Sequence, residues 1–174
     1  LSLSANGQQF ASSEALFTYR PAAAVSSVWP LRGASEGGTP VTVHGSGFSS
    51  SAEALGALRC RFNATVVAAA YVSESALVCN STASASGHVA VEVSTNGREY
   101  TSSGVRFELV SLVVRGMAPW SGPSLGGTVV TIAGARLGDV AEGLSCRFGR
   151  MAQSQPASAH GSDGVRCVSP WALP

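Results

Sequence analysis

Four cysteines are the side chains of this sequence with the most definite chemistry, and they can pair in three ways if all are oxidised. They stand at Cys60, Cys79, Cys146 and Cys167. The alternatives are four buried, reduced thiols or a zinc site. Zinc sites usually take two ligands from a close Cys-x-x-Cys pair, and the sequence contains no such pair. A metal site is therefore not predicted.

Two asparagines could carry glycans. Asn63-Ala64-Thr65 and Asn80-Ser81-Thr82 both match the Asn-x-Ser/Thr acceptor pattern. Each pattern is short and arises often by chance. The pair gains weight because it occurs together with several cysteines and few charges, a combination typical of secreted proteins. N-glycosylation is predicted at Asn63 and Asn80.

Catalytic and cofactor-binding motifs are missing from the sequence. A nucleophilic triad brings Ser, His and a carboxylate together, but the three histidines are widely spaced and lie in no recognisable motif. They are His44, His88 and His160, and the two aspartates are Asp139 and Asp163. Dispersed acids do not indicate calcium, and no glycine-rich loop precedes a helix. We predict a protein that is not an enzyme and that uses no metal or cofactor.

The composition points to a folded protein without a charged binding face. Hydrophobic residues make up 45% of the 174 residues and charged residues 12%, with a net charge of +1. This excludes disorder, which needs the opposite balance, and gives no basic surface for nucleic acid. No apolar run reaches the roughly 18 residues of a membrane span, so this segment is not expected to insert into a membrane.

An internal repeat with a spacing of 89 residues organises the chain. The first copy reads Val28-Trp29-Pro30, Gly33, Gly37-Gly38-Thr39, Val41-Thr42-Val43, Gly45, and the second Met117-Ala118-Pro119, Gly122, Gly126-Gly127-Thr128, Val130-Thr131-Ile132, Gly134. Cys60-Arg61-Phe62 returns as Cys146-Arg147-Phe148, and the stretch 4–17 resembles 94–107. We therefore expect three parts: residues 1–21 as the C-terminal hairpin of a preceding repeat, 22–110 as a complete repeat, and 111–174 as a repeat without its last strands.

Alternating apolar and polar residues predict short strands. Val41 to His44 alternate in this way, as do Leu58 to Phe62 and His88 to Ser94. Asn96-Gly97 is the pair best suited to a type I′ hairpin turn, with a return strand at about 100–109. Seven or so short strands in about 90 residues indicate an antiparallel β-sandwich. The fold class is predicted as all-β, with tandem immunoglobulin-like sandwiches.

These features together resemble the IPT/TIG family of immunoglobulin-like domains, of the early-set type. The matching residues of the complete copy are Pro30, Gly37, Gly38, Thr39, Val41, Val43, Gly45, Gly47, Phe48, Cys60, Phe62, Cys79, Asn96, Gly97 and Phe107. In the last copy, Cys167-Val168-Ser169-Pro170 fits the family's Cys-x-Ser/Thr-Pro ending. Cys79-Asn80-Ser81-Thr82 lacks that proline, which should alter one loop.

Equivalent positions in the two copies favour the pairings Cys60–Cys79 and Cys146–Cys167, each worth about 3 kcal/mol in the chain-entropy model. Reduced thiols remain the alternative, because the family includes cytosolic members. Disulfides, sequons and low charge together predict an extracellular or cell-surface protein.

Three tryptophans beside prolines are the candidate contact residues: Trp29, Trp120 and Trp171. Exposed tryptophans often anchor protein partners, but packing at the junctions between repeats is the favoured interpretation for Trp29 and Trp120. The segments that connect the repeats are short, so adjacent sandwiches should bend little and form a semi-rigid rod.

The resemblance does not select one function, because the family serves several. The first hypothesis is a segment of a large cell-surface or matrix glycoprotein that acts in adhesion or as a scaffold, including in a surface filament. The second is the ligand-binding ectodomain of a plexin-like or growth-factor-receptor-like receptor, and the third an accessory domain of a secreted carbohydrate-active enzyme. Partners would be other proteins or neighbouring copies. A lesser alternative has the N-terminal hairpin completing the last repeat of a neighbouring molecule.

Overall fold

The chain folds mainly into β-strands in a computed structural model that describes residues 1–12, 14, 17, 19–140, 144–149 and 154–171. The strands form two groups that follow one another along the chain. The first group, called the central sandwich below, consists of β1 (Ala24–Trp29), β2 (Arg32–Ala34), β3 (Pro40–Ser46), β4 (Arg59–Phe62), β5 (Thr65–Ala68), β6 (Ala70–Ser73), β7 (Ala76–Asn80), β8 (Gly87–Ser94) and β9 (Arg106–Val110), with a short helix α1 (Ser50–Ala54) after β3. The all-β prediction is confirmed.

The second group, called the C-terminal unit, contains β10 (Val113–Ala118), β11 (Val129–Ala135), a 3-10 turn (Gly138–Val140), β12 (Ser145–Cys146), β13 (Gln155–Pro156), β14 (Ser158–Ala159) and β15 (Gly164–Val168). Its four-stranded sheet has the order β10-β11-β15-β14, which matches the order β1-β3-β7-β6 in the central sandwich. Both first pairs shift register at the same place, between Val25 and Ser27 in one and between Val114 and Gly116 in the other. The sequence repeat is therefore also a repeat of topology.

Two facing sheets enclose the core of the central sandwich. The second sheet has the order β2-β9-β8-β4-β5, and its β2–β9 pair is parallel while the other pairs are antiparallel. Alternation places Val89, Val91 and Val93 on the inner face, where each is buried. Phe107 is fully buried and packs edge to face on Phe62, with ring centroids 6.0 Å apart. Both phenylalanines belong to this second sheet and fill part of the apolar layer between it and the facing sheet.

The loop after β8 differs from its prediction. The return strand β9 begins at Arg106, several residues later than expected, and of the Asn96-Gly97 pair only Gly97 has a positive φ, of 73°. The Asn96 carboxamide oxygen accepts hydrogen bonds from the backbone N–H groups of Arg98 and Glu99, each at 2.9 Å. This side-chain turn takes the place of a type I′ turn, because asparagine can satisfy the backbone locally.

Helix α1 was not predicted, because the serine-rich stretch 49–51 is typical of a loop. Its Glu53 carboxylate accepts a hydrogen bond from the backbone N–H of Tyr71 on β6, at 3.0 Å. Within the helix, Ala52 is the buried residue. The helix therefore packs against one side of the central sandwich.

Candidate functional site

Both disulfides join one sheet to the facing sheet. Cys60 on β4 is bonded to Cys79 on β7, and Cys146 on β12 to Cys167 on β15, each with a Cα–Cα distance of 6.3 Å. All four residues are buried, with at most 9% of their surface exposed. A buried, oxidised cysteine has no reactive thiolate. These cysteines therefore stabilise the sandwiches and carry no redox or metal chemistry.

A serine beside each second cysteine holds the Gly-Gly-Thr turn against the sheet. In the central sandwich, Gly38 N–H donates to Ser81 O at 2.8 Å, Ser81 N–H to Thr39 O at 2.8 Å, and Thr39 N–H to Ser81 Oγ at 3.1 Å. A Cβ atom on Gly37 would come within 2.6 Å of the backbone N of Ala83, so only glycine fits beneath the strand that leaves β7. The motif residues therefore serve the fold.

The same three bonds recur in the C-terminal unit. Gly127 N–H donates to Ser169 O at 2.9 Å, Ser169 N–H to Thr128 O at 2.8 Å, and Thr128 N–H to Ser169 Oγ at 3.1 Å. The repeated Cys-x-Ser spacing was a signal for this contact, although the role of the serine was not identified from it.

The two sequons occupy different parts of the central sandwich. Asn63 is exposed in the two-residue turn between β4 and β5 and has a φ of 54°. Asn80 is exposed at the end of β7, which lies between β3 and β6 in its sheet. Both side chains are accessible to solvent, so the fold accommodates a glycan at either position. N-glycosylation of the two residues stays a prediction.

An ion network spans the junction between the central sandwich and the C-terminal unit. The carboxylate of Glu108 on β9 lies 2.5 Å from Nη2 of Arg136, which follows β11, and 3.5 Å from Nε of Arg32 on β2. The hydrogen bond from Arg136 lowers the pKa of the Glu108 carboxyl. Desolvation acts against it, and the charges of Arg136, Arg32 and His88 lower the pKa further. Glu108 is therefore anionic at neutral pH and ties the two units together.

A groove of about 290 Å³ lies at the same junction. Trp29, Pro30 and Pro40 line it from the central sandwich, and Val140 and Leu144 from the C-terminal unit. Only two residues, 111 and 112, separate β9 from β10. The short connection, the ion network and the apolar groove are the contacts that join the two units.

The three tryptophans keep much of their surface in solvent. Trp29 lines the junction groove but is 57% exposed, while Trp120 is 86% and Trp171 68% exposed. Trp120 lines a second groove of about 230 Å³ that includes Met117 and Phe148. Their role in partner binding stays a prediction.

The residues with potential for catalysis are dispersed. His44, His88 and His160 are all exposed, and His160 contacts Arg166 at 3.2 Å. Within the described ranges, no three side chains of the metal-ligating types lie together. No helix in that part of the chain has the length and hydrophobicity to cross a bilayer.

The sequence did not reveal the junction network. Arg32, Glu108 and Arg136 are single charges separated by up to about a hundred residues, and no motif links them. Their partnership depends on the parallel pairing of Arg32 with Glu108 across β2 and β9 and on the position of the next unit. The one available signal was the closeness of Glu108 to the predicted connection between the repeats.

Comparison with known proteins supports the fold and the repeat. The IPT/TIG domain family model matches residues 23–109 and 112–172. Human Plexin-B1 is 35% identical over 129 residues, which cover 71% of this chain and 6% of Plexin-B1. The chain thus spans a small part of that relative. The family resemblance drawn from the residues is confirmed.

Two solved structures of the Plexin A4 extracellular region share the fold. One has a TM-score of 0.65 at 19% identity and covers 87% of this chain and 13% of its own; the other has a TM-score of 0.64 at 21% identity and covers 97% and 17%.

Proposed function

Because this chain belongs to the IPT/TIG domain family, we propose that it is a rigid spacer segment in the ectodomain of a plexin-like cell-surface receptor. Its location is extracellular or at the cell surface, in agreement with its two buried disulfides, which persist in oxidising compartments. The segment acts without catalysis, through contacts with other proteins and through the distance that it sets between neighbouring domains.

One observation carries the proposal: Glu108 of the central sandwich forms an ion pair with Arg136 of the next unit across a connection of two residues. An exposed ion pair adds only about 0.2–1 kcal/mol, so its value lies in orientation. A receptor that passes a signal from a distant ligand to the membrane needs such fixed joints, since a flexible connection would absorb the displacement.

Similarity to human Plexin-B1 supports a receptor ahead of the adhesion or scaffold hypothesis. A scaffold would also use rigid joints, so the junction by itself does not separate the two. The discriminating measurement is the fractionation of the full-length protein from its native tissue. We expect it to be surface-exposed and extracted only by detergent, as an integral membrane receptor is. Recovery in the detergent-insoluble matrix fraction would favour the scaffold.

Rigidity is tested by distance measurements between paired spin labels, one on β8 and one on β11. We expect a single narrow distribution for the natural chain. Glu108→Gln removes the charge that holds Arg136 and should broaden it. Arg106→Gln is the matched control, because Arg106 is an exposed residue of the same strand β9. A broad distribution in the natural chain would contradict the spacer proposal.

A further inference from the structure

The edge strands of the central sandwich differ in the features that protect them against pairing with another chain. An edge strand presents unpaired backbone N–H and C=O groups, and proteins blunt such edges with bulges, short strands, charges or covering elements. There are four edges here: β1 and β6 in one sheet, β2 and β5 in the other. Three of them show a protective feature in the chain itself.

Strand β1 has an irregular register between Val25 and Ser27, which twists it away from a flat edge. Strand β2 has only three residues and begins with the charged Arg32. Strand β6 lies beside helix α1. The Glu53 carboxylate of this helix accepts a hydrogen bond from the backbone N–H of Tyr71 on β6, at 3.0 Å.

Strand β5 lacks these features. Its register with β4 is regular from Thr65 to Ala68, and the N–H of the following Ala69 donates to Leu58 O. Since hydrogen-bonded and non-bonded pairs alternate in an antiparallel ladder, the backbone groups of Val66 and Ala68 point away from β4. No hydrogen bond involves those groups among the residues that the structure describes.

The sequence of this edge favours pairing. Strand β5 reads Thr-Val-Val-Ala over residues 65–68, without charge, proline or glycine. It therefore lacks the residues that usually block pairing at an edge, and three of its four residues are β-branched. Val66 adds an apolar side chain that is 46% exposed. A second copy of the chain could extend the sheet here by antiparallel pairing of β5 with β5.

The sequon at Asn63 lies at the start of this edge. Asn63 is exposed in the turn that leads into β5, and Ala64 alone separates it from the first residue of that strand. An N-glycan is a bulky and hydrophilic surface group. We propose that an N-glycan on Asn63 covers the outer edge of β5 and prevents pairing of the sheet with a second copy. The inference does not depend on the receptor proposal.

The test compares glycosylation variants of the 174-residue chain secreted from mammalian cells. Mass spectrometry of the natural chain should find a glycan on Asn63. Asn63→Gly removes the acceptor and keeps the positive φ that this turn requires. We expect self-association at least about tenfold stronger than that of the natural chain, which is about 1.4 kcal/mol, by analytical ultracentrifugation.

Asn80→Gln is the matched control, because it removes a glycan from the interior strand β7 and uncovers no edge. It should associate no more than the natural chain. Adding Val66→Lys to Asn63→Gly should restore the monomer, since a lysine on an edge opposes pairing. An unmodified Asn63 overturns the proposal, as does a monomeric Asn63→Gly chain. The proposal is also overturned if the Asn80→Gln chain associates as strongly as the Asn63→Gly chain, or if Val66→Lys does not restore the monomer. Either result would show that the association does not occur at the β5 edge.

Discussion

The hydroxyl of Ser81 accepts a hydrogen bond from the backbone N–H of Thr39 at 3.1 Å, across 42 positions of the sequence. Ser81 is 4% exposed, so this bond is shielded from water. It fixes the turn before β3 to the end of β7, two residues beyond the buried Cys79. The equivalent bond, from Thr128 to Ser169, has the same length. A contact that is repeated with its geometry unchanged belongs to the architecture of the unit.

Ser81→Ala should therefore destabilise the central sandwich by about 1 kcal/mol, because it leaves the part-buried Thr39 N–H without its acceptor. The substitution keeps Thr82, so Asn80 stays within a sequon and glycosylation does not change between the proteins compared. Urea denaturation measures the difference. Ser84→Ala, at an exposed position of the same loop, should stay within about 0.5 kcal/mol of the natural chain. Equal stabilities for the two variants would show that the Ser81 hydroxyl contributes nothing.

Removing the first disulfide by Cys60→Ala with Cys79→Ala should cost about 3 kcal/mol or more. The bond closes a loop with a sequence separation of 19, and the two alanines also lose buried sulfur contacts. Hydrogen exchange in β3, β4 and β7 measures the loss where it occurs. The companion variant, Cys146→Ala with Cys167→Ala, should accelerate exchange in β11 and β15 instead. Acceleration of the same amides by both variants would argue against separate stabilisation of the two units.

Gly45→Ala should destabilise the chain by about 1–3 kcal/mol. A Cβ atom on Gly45 would collide with the backbone carbonyl oxygen of Ala24 and come within 2.8 Å of Cζ of Phe48. A backbone oxygen in the paired strand β1 cannot move aside as a flexible side chain can. The cost is therefore steric and does not arise from the glycine's own backbone angles.

Gly116→Ala is the matched control for this effect, because nothing lies within 4 Å of a Cβ atom there. Alanine restricts the unfolded chain more than glycine does, so this variant should gain up to about 1 kcal/mol. Thermal unfolding of both proteins gives the comparison. A destabilised Gly116→Ala chain would mean that flexibility, and not the close approach to Ala24, decides the outcome at both positions.

The strands and the family could be predicted because they depend on local patterns and on repetition. Alternation identified β8 with its buried Val89, Val91 and Val93, and the spacing of Cys60 and Cys79 agreed with that of Cys146 and Cys167. Such signals lie in adjacent residues or in two copies of one motif. These signals can be recognised in the sequence without knowledge of tertiary contacts.

The loop at Asn96 and the junction at Glu108 could not be predicted in the same way. Asn96-Gly97 favours a type I′ turn in isolation, but its carboxamide instead bonds Arg98 and Glu99, and the strand resumes only at Arg106. The Glu108 network depends on where the next unit lies, which no single-copy pattern encodes. At Asn96 one local arrangement replaces another, whereas the Glu108 network joins residues that are distant in the sequence.

The junction should loosen in acid. The pKa of Glu108 is lowered in the folded chain, chiefly by the hydrogen bond from Arg136. A lowered pKa means that the stabilisation is complete above the ordinary carboxyl pKa of about 4.3 and is lost as the pH falls through the lowered value. Distances between spin labels on β8 and β11 should therefore stay narrow from pH 8 to pH 5 and broaden below about pH 4. Glu108→Gln should already be broad at neutral pH and should change less in acid, because the titrating carboxyl is gone. If the variant broadened in acid as much as the natural chain does, other carboxyl groups would control the junction and the assignment to Glu108 would be wrong.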